Sequence, residues 1–148
     1  MFSTTTKYAL KALVHLARAP AGTSVLGREL ARRAEIPLRY LSKIMLVMRD
    51  AGLVVATRGL GGGYRLSKAA DQTFLEEAVK LFEAGPIEPG CLLGQSPRCS
   101  DHAPCSAHWA WKRLSKAYTE FLNSTTIDDI AGPRRPNPPR KPQTSKRS

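Results

Sequence analysis

The chain has 148 residues, 42% of them hydrophobic and 24% charged, with a net charge of +11. That length supports one modest domain with a real core. No run of eighteen apolar residues crosses a membrane, no secretory leader pattern opens the chain, and three cysteines are an odd count for a secreted disulfide framework, so a reducing cytoplasm is expected.

The charge is uneven. Residues 1–70 carry twelve Lys/Arg against Glu29, Glu35 and Asp50, a net +9. Residues 71–131 carry five basic and nine acidic residues, a net −4, and the remainder from 132 holds six cations and no acid. A basic N-terminal half on a slightly acidic remainder points to a polyanionic partner for that half.

Apolar residues at three- and four-residue spacing (Tyr8, Ala9, Ala12, Leu13, Leu16, Ala17) predict a helix over residues 2–19, ended by Pro20 and Gly22. Thr23 or Ser24 is expected to cap a short second helix through Ala34, with Leu26, Leu30 and Ala31 inward. Glu35 and Ile36 make a tight turn, and Pro37 suits the start of a third helix running to about Asp50. That helix is expected to bury Leu38, Leu41, Ile44, Met45 and Met48. Two helices joined by a short turn, the second carrying Arg39 and Lys43, have a helix-turn-helix layout. Residues 53–58 and 64–67, around Gly59-Leu60-Gly61-Gly62-Gly63, read as a β-hairpin.

Thr73 to Glu76 is a capping-box pattern opening a helix through about Ala84, with Phe74, Ala78, Val79 and Phe82 on one side. A Pro/Gly-rich loop holding Cys91, Cys99 and Cys105 follows. A longer helix over residues 106–123 carries the stripe Trp111, Leu114, Tyr118, Phe121 and Leu122, and Thr126 caps a last short turn. From Gly132 the composition is that of a disordered basic tail. The predicted architecture is mainly α with a small β-hairpin, in four parts: a winged helix-turn-helix DNA-binding domain (1–84), a cysteine-rich loop (85–105), a long C-terminal dimerisation helix (106–131) and the tail (132–148).

Three helices followed by a hairpin is the winged-helix plan for duplex DNA, with the third helix in the major groove. Arg39 can pair bidentately with guanine, Tyr40 can meet a phosphate or base, and Lys43 adds a cation. Ser42, small and uncharged, imposes little discrimination. On the wing, Arg58 and Arg65 flank Gly61, Gly62 and Gly63, whose bare backbone permits close approach to phosphates. A phosphate-binding nucleotide loop would need a strand, a Gly-rich loop ending in Lys-Ser/Thr and then a helix. Here the glycines return into a strand.

The three cysteines lie within fifteen residues, separated by seven and five others, with His108 three positions after the last. Three thiolates and an imidazole suit tetrahedral zinc and equally an iron–sulfur cluster. The absence of a tight cysteine pair favours the cluster, with His102 as a rival fourth ligand and an oxidisable thiol set as the plain alternative. No Cys-x-x-Cys, nucleophile–base pairing or separate set of catalytic carboxylates indicates an enzyme.

Lys7-Tyr8-Ala9-Leu10, Leu38-Arg39-Tyr40-Leu41, Ala51-Gly52-Leu53-Val54, the wing Arg58 to Tyr64 and the three-cysteine loop fall in one order. Together they resemble the bacterial winged-helix iron–sulfur regulators of the IscR type (the Rrf-two family), with its NsrR and RirA branches. The resemblance spans residues 1 to about 131. It implies a homodimeric transcription regulator of operator DNA, expected to act as a repressor, in which the long helix forms most of the dimer interface. It further implies that Cys91, Cys99 and Cys105 hold the cluster, and that His108 matches the histidine completing a [2Fe–2S] site. A [4Fe–4S] cluster with another fourth ligand, or zinc, stays open. Arg39, Tyr40, Arg58 and Gly61 to Gly63 match the family's DNA-contacting elements. Three departures stand out: the seven-residue gap is like that of the iron-responsive branch, Tyr8 stands where the NsrR branch supplies an aspartate ligand to its [4Fe–4S] cluster, and Ser42 replaces a glutamate that the IscR branch uses to discriminate operators.

Overall fold

The computed structural model describes residues 2–83, 92 and 100–132. In chain order come α1 (Thr4–Arg18), α2 (Gly27–Ala34), α3 (Leu38–Asp50), β1 (Val54–Thr57), β2 (Gly63–Leu66), a 3-10 turn (Ala70–Gln72), α4 (Leu75–Phe82), α5 (His108–Ser124) and α6 (Ile127–Ala131). The fold is mainly helical with one antiparallel hairpin, as expected. Cys91, Cys99 and the tail from 133, all carriers of sequence-based expectations, lie outside the described residues.

α1 is the central element. Its Ala9, Ala12, Leu13, Val14 and Leu16 are buried, and it packs against α2, α3, α4, α6 and β2. Ser3 caps it by accepting the Thr6 N–H at 3.2 Å. Ala19 is extended, the conformation favoured before a proline, so the helix stops ahead of Pro20.

α2 starts later than the capping pattern at Thr23 and Ser24 suggests. Thr23 donates its hydroxyl to Pro20 O at 2.6 Å instead. Val25 is drawn into the hairpin, its N–H and C=O both paired with Tyr64 at 2.8 Å. Leu26 therefore sits at the helix entry, 60% exposed rather than inward. After the left-handed Glu35 (φ 55°), α3 buries Leu41, Ile44, Met45 and Met48. Leu38, expected in that set, is exposed: it lies in the first turn, beyond the reach of the core.

The hairpin pairs Val54 with Leu66, Val55 with Arg65, Ala56 with Tyr64 and Thr57 with Gly63. α4 begins one residue later than the Thr73–Glu76 pattern predicts. Phe74 occupies the capping position, with Glu77 accepting its N–H at 3.1 Å. Thr73, buried, is committed elsewhere: its hydroxyl goes to Ala69 O and its carbonyl takes the Ile127 N–H. Leu75 thereby joins the core beside Ala78 and Val79, while Phe74 and Phe82 are half-buried. The chain returns through Leu122 and Ile127, both fully buried. Thr126 and Asp129 form the expected reciprocal cap of α6. Among the described residues no helix is long and apolar enough to cross a membrane.

Candidate functional site

The start of α3 lies exposed beside α1. Tyr40, 48% exposed, meets the Tyr8 ring edge-on at 5.7 Å, and the Lys11 ammonium lies 6.0 Å from the Tyr8 ring centre. Arg39 and Lys43 are exposed, and among the described residues no carboxylate pairs with them or with Arg58 and Arg65. Two of the three α2 cations differ: Glu29 holds Arg32 and Arg33 at 2.7 Å each, which keeps the Glu29 carboxyl below its ordinary range. Uncompensated positive charge therefore includes α3 and the wing, the two elements that a winged helix turns to a polyanion, alongside exposed Lys7 and Lys11 on α1 and Arg28 on α2. Ser42 donates its hydroxyl to Leu38 O at 3.0 Å, back along its own helix, so the group that a groove contact would use is already engaged.

The wing glycines have an internal reason besides any approach to phosphate. A Cβ on Gly62 would meet Thr57 O at 2.5 Å, and one on Gly63 would meet Val25 O at 2.2 Å. Only glycine lets the hairpin turn this tightly and lie this close to the backbone at Val25. At the tip, Leu60 is fully exposed between Gly59 and Gly61.

Of the cysteine-loop residues, Cys105 and His108 share one turn at the head of α5, the His108 N–H donating to Cys105 O at 3.1 Å. Cys105 is exposed; the His108 side chain is largely covered. Its Nε2 lies 2.8 Å from Asp101 Oδ1, and Lys112 holds the other Asp101 oxygen at 2.6 Å. Those two partners, Lys112 first, keep the Asp101 carboxyl below its usual range. A carboxylate fixing an imidazole is the arrangement that orients metal-binding histidines. His102, the rival ligand, is exposed two residues from Ser100, whose hydroxyl takes its N–H. No cluster of three or more His, Cys, Asp or Glu side chains suited to a metal forms among the described residues. Sequence reasoning missed Asp101; its place inside the cysteine run was the available signal.

α5 buries only Leu122 along seventeen residues. The predicted stripe divides: Tyr118 and Leu122 face the body, Tyr118 lying 6.2 Å from the Phe2 ring, Trp111 is half-buried, and Leu114 (58%) and Phe121 (48%) are exposed.

A helix-turn-helix and hairpin with unpaired cations on both define a winged-helix DNA-binding transcription regulator. The family model described as "Iron-dependent Transcriptional regulator" (Rrf2) matches residues 2–133, and the chain belongs to that family. It is 34% identical over 137 residues to the HTH-type transcriptional regulator IscR of Cereibacter sphaeroides, covering 86% of this chain and 84% of the relative. Among solved structures it is similar to CymR (YrzC), the global cysteine regulator of B. subtilis, with a TM-score of 0.75, 28% identity and coverage of 88% and 95% of the two chains. The T. potens IscR structure matches with a TM-score of 0.67 and 25% identity over 88% and 85%. These relatives are regulators, in keeping with a non-enzymatic role.

Proposed function

We propose that the chain is a cytoplasmic, homodimeric repressor whose operator affinity responds to an iron–sulfur cluster held by Cys91, Cys99, Cys105 and His108, with [2Fe–2S] favoured. The observation that carries this is the single turn in which Cys105 and His108 meet, with Asp101 holding the imidazole and Lys112 holding Asp101. That donor set fits the group: soft thiolates with one oriented nitrogen suit iron–sulfide. When bound, the cluster supplies iron chemistry sensitive to iron supply, oxidants and nitric oxide.

The chain's own residues do the rest. Arg39, Tyr40 and Lys43 face the major groove, Arg58 and Arg65 follow the wing's path, and neutralised phosphates make binding salt-dependent. Leu114 and Phe121 on α5 meet a second copy, which sets the spacing of two recognition helices. The cysteine segment joins α4 to α5, so a group held there constrains how the dimer helix sits on the DNA-binding half, and a bound state stabilises the conformation it fits best.

Anaerobic purification with visible spectra and iron and sulfide counts, on wild type and Cys99→Ala, tests the ligand set. A brown or reddish wild type and a colourless variant are expected. A colourless protein holding only zinc overturns the cluster, and one holding no metal leaves the thiols as a redox switch.

A further inference from the structure

Beyond Arg39 and Lys43 the outward face of α3 turns apolar. Leu46 and Val47 are 48% and 41% exposed, while their neighbours Met45 and Met48 are fully buried. At helical spacing Leu46 lies seven residues after Arg39 and three after Lys43, on the same stripe, opposite the buried Leu41, Ile44, Met45 and Met48. Val47 lies seven after Tyr40, on the flank of that stripe. The core makes no use of either side chain, although both carry enough apolar surface to stabilise a contact.

We propose that Leu46, flanked by Val47, reads thymine 5-methyl groups in the major groove, making it a specificity-determining residue. This rests on the reading of α3 as the recognition helix. Base edges in that groove offer hydrogen-bonding groups and one apolar group, the thymine methyl. A leucine laid over cytosine N4 or guanine O6 strips water from a polar edge and returns no hydrogen bond, which is costly. Laid over a thymine methyl, it removes apolar surface from water on both sides. The face is continuous with the uncompensated Arg39 and Lys43, so a polyanion suits it better than a second copy of the same cationic surface. Seven residues of helix advance roughly 10 Å, about three base-pair steps, for a helix lying along the groove. The thymine is therefore placed about three base pairs from the base that Arg39 reads.

The test uses the full chain, with its metal as purified. Duplexes are selected from a random pool, and the thymine at the assigned position is replaced by deoxyuridine, which removes only the methyl. Wild type should bind the deoxyuridine duplex about fourfold more weakly per methyl lost. L46A should bind the thymine duplex more weakly than wild type does and be indifferent to the replacement. Equal wild-type affinity for both duplexes, or undiminished methyl dependence in L46A, overturns the proposal. So does an L46A protein whose DNA preference is intact but whose oligomeric state has changed, since Leu46 would then lie in a protein interface. If wild type binds no selected duplex better than random DNA, the recognition-helix reading itself falls, a result distinct from the others.

Discussion

Thr6 and Glu83, separated by 77 residues, are joined by a 2.5 Å hydrogen bond from Thr6 Oγ1 to Glu83 Oε1. The same oxygen accepts the Ser3 N–H at 2.8 Å. Thr6 is fully buried, and Glu83 follows directly on α4, on the side of the chain that leads to the cysteines. The bond therefore ties the beginning of the central helix to the entrance of the proposed cluster loop. Thr6→Val keeps the shape and removes the donor. It should cost about 1–2 kcal/mol in denaturant unfolding.

The same carboxyl sets an acid sensitivity. Hydrogen bonds from Thr6 and then from Ser3 hold Glu83 below the ordinary carboxylate value of 4.5. A depressed folded value means that the ionised form stabilises the fold. The contribution is complete above 4.5 and is lost as pH falls below that value toward the folded one. The stability difference between wild type and Glu83→Gln, measured by denaturant at a series of pH values, should be largest at neutral pH and shrink on acidification. A difference that grows toward acid would contradict the assignment.

Gly63→Ala should damage the wing from within. Its φ is 136° and the new Cβ would meet Val25 O at 2.2 Å, so a loss of about 1–3 kcal/mol is expected. Gly61 also has a positive φ, 74°, but faces open space. Gly61→Asn, a residue that tolerates the left-handed region, should cost less than about 1 kcal/mol. Parallel thermal melts of the two variants compare them directly.

On the recognition helix, Arg39→Ala and Lys43→Ala should separate by kind. The first should cost about 1–3 kcal/mol and relax preference at one base pair. The second should weaken binding evenly across sequences and lower the salt slope by about one. Equilibrium binding to selected and scrambled duplexes at several salt concentrations reads both.

For the proposed dimer, Leu114→Asp places a charge at the centre of the exposed α5 face. Sedimentation should show the wild-type dimer converted to monomer at the same concentration, while Leu114→Met remains dimeric.

The elements governed by local periodicity were legible in the sequence: α1, the buried face of α3 from Leu41 on, the hairpin and the Thr126 cap. The errors arose where a distant partner outbid a local pattern. Tyr64 bridges to the Val25 backbone and delays α2, and Ile127 engages the Thr73 carbonyl as the α4 cap moves to Phe74. No local pattern records those pairings. In the candidate site, residue type and order were enough to single out Arg39, Lys43, Cys105 and His108. Asp101 had only its place inside the cysteine run as a signal, and the Thr6–Glu83 bond had none, because it depends on how α1 and α4 pack. The Ser42 hydroxyl bond to Leu38 O is consistent with the expectation that Ser42 imposes little discrimination.

In the proposed switch, what the cysteine loop holds governs DNA affinity. The direct measurement is equilibrium binding of the anaerobically purified full chain to its selected operator, before and after removal of iron by a chelator. A coloured protein with iron and sulfide, whose operator affinity changes by roughly tenfold when stripped, is the predicted result. A colourless, iron-free protein that binds the operator tightly, or equal affinity before and after stripping, would contradict it.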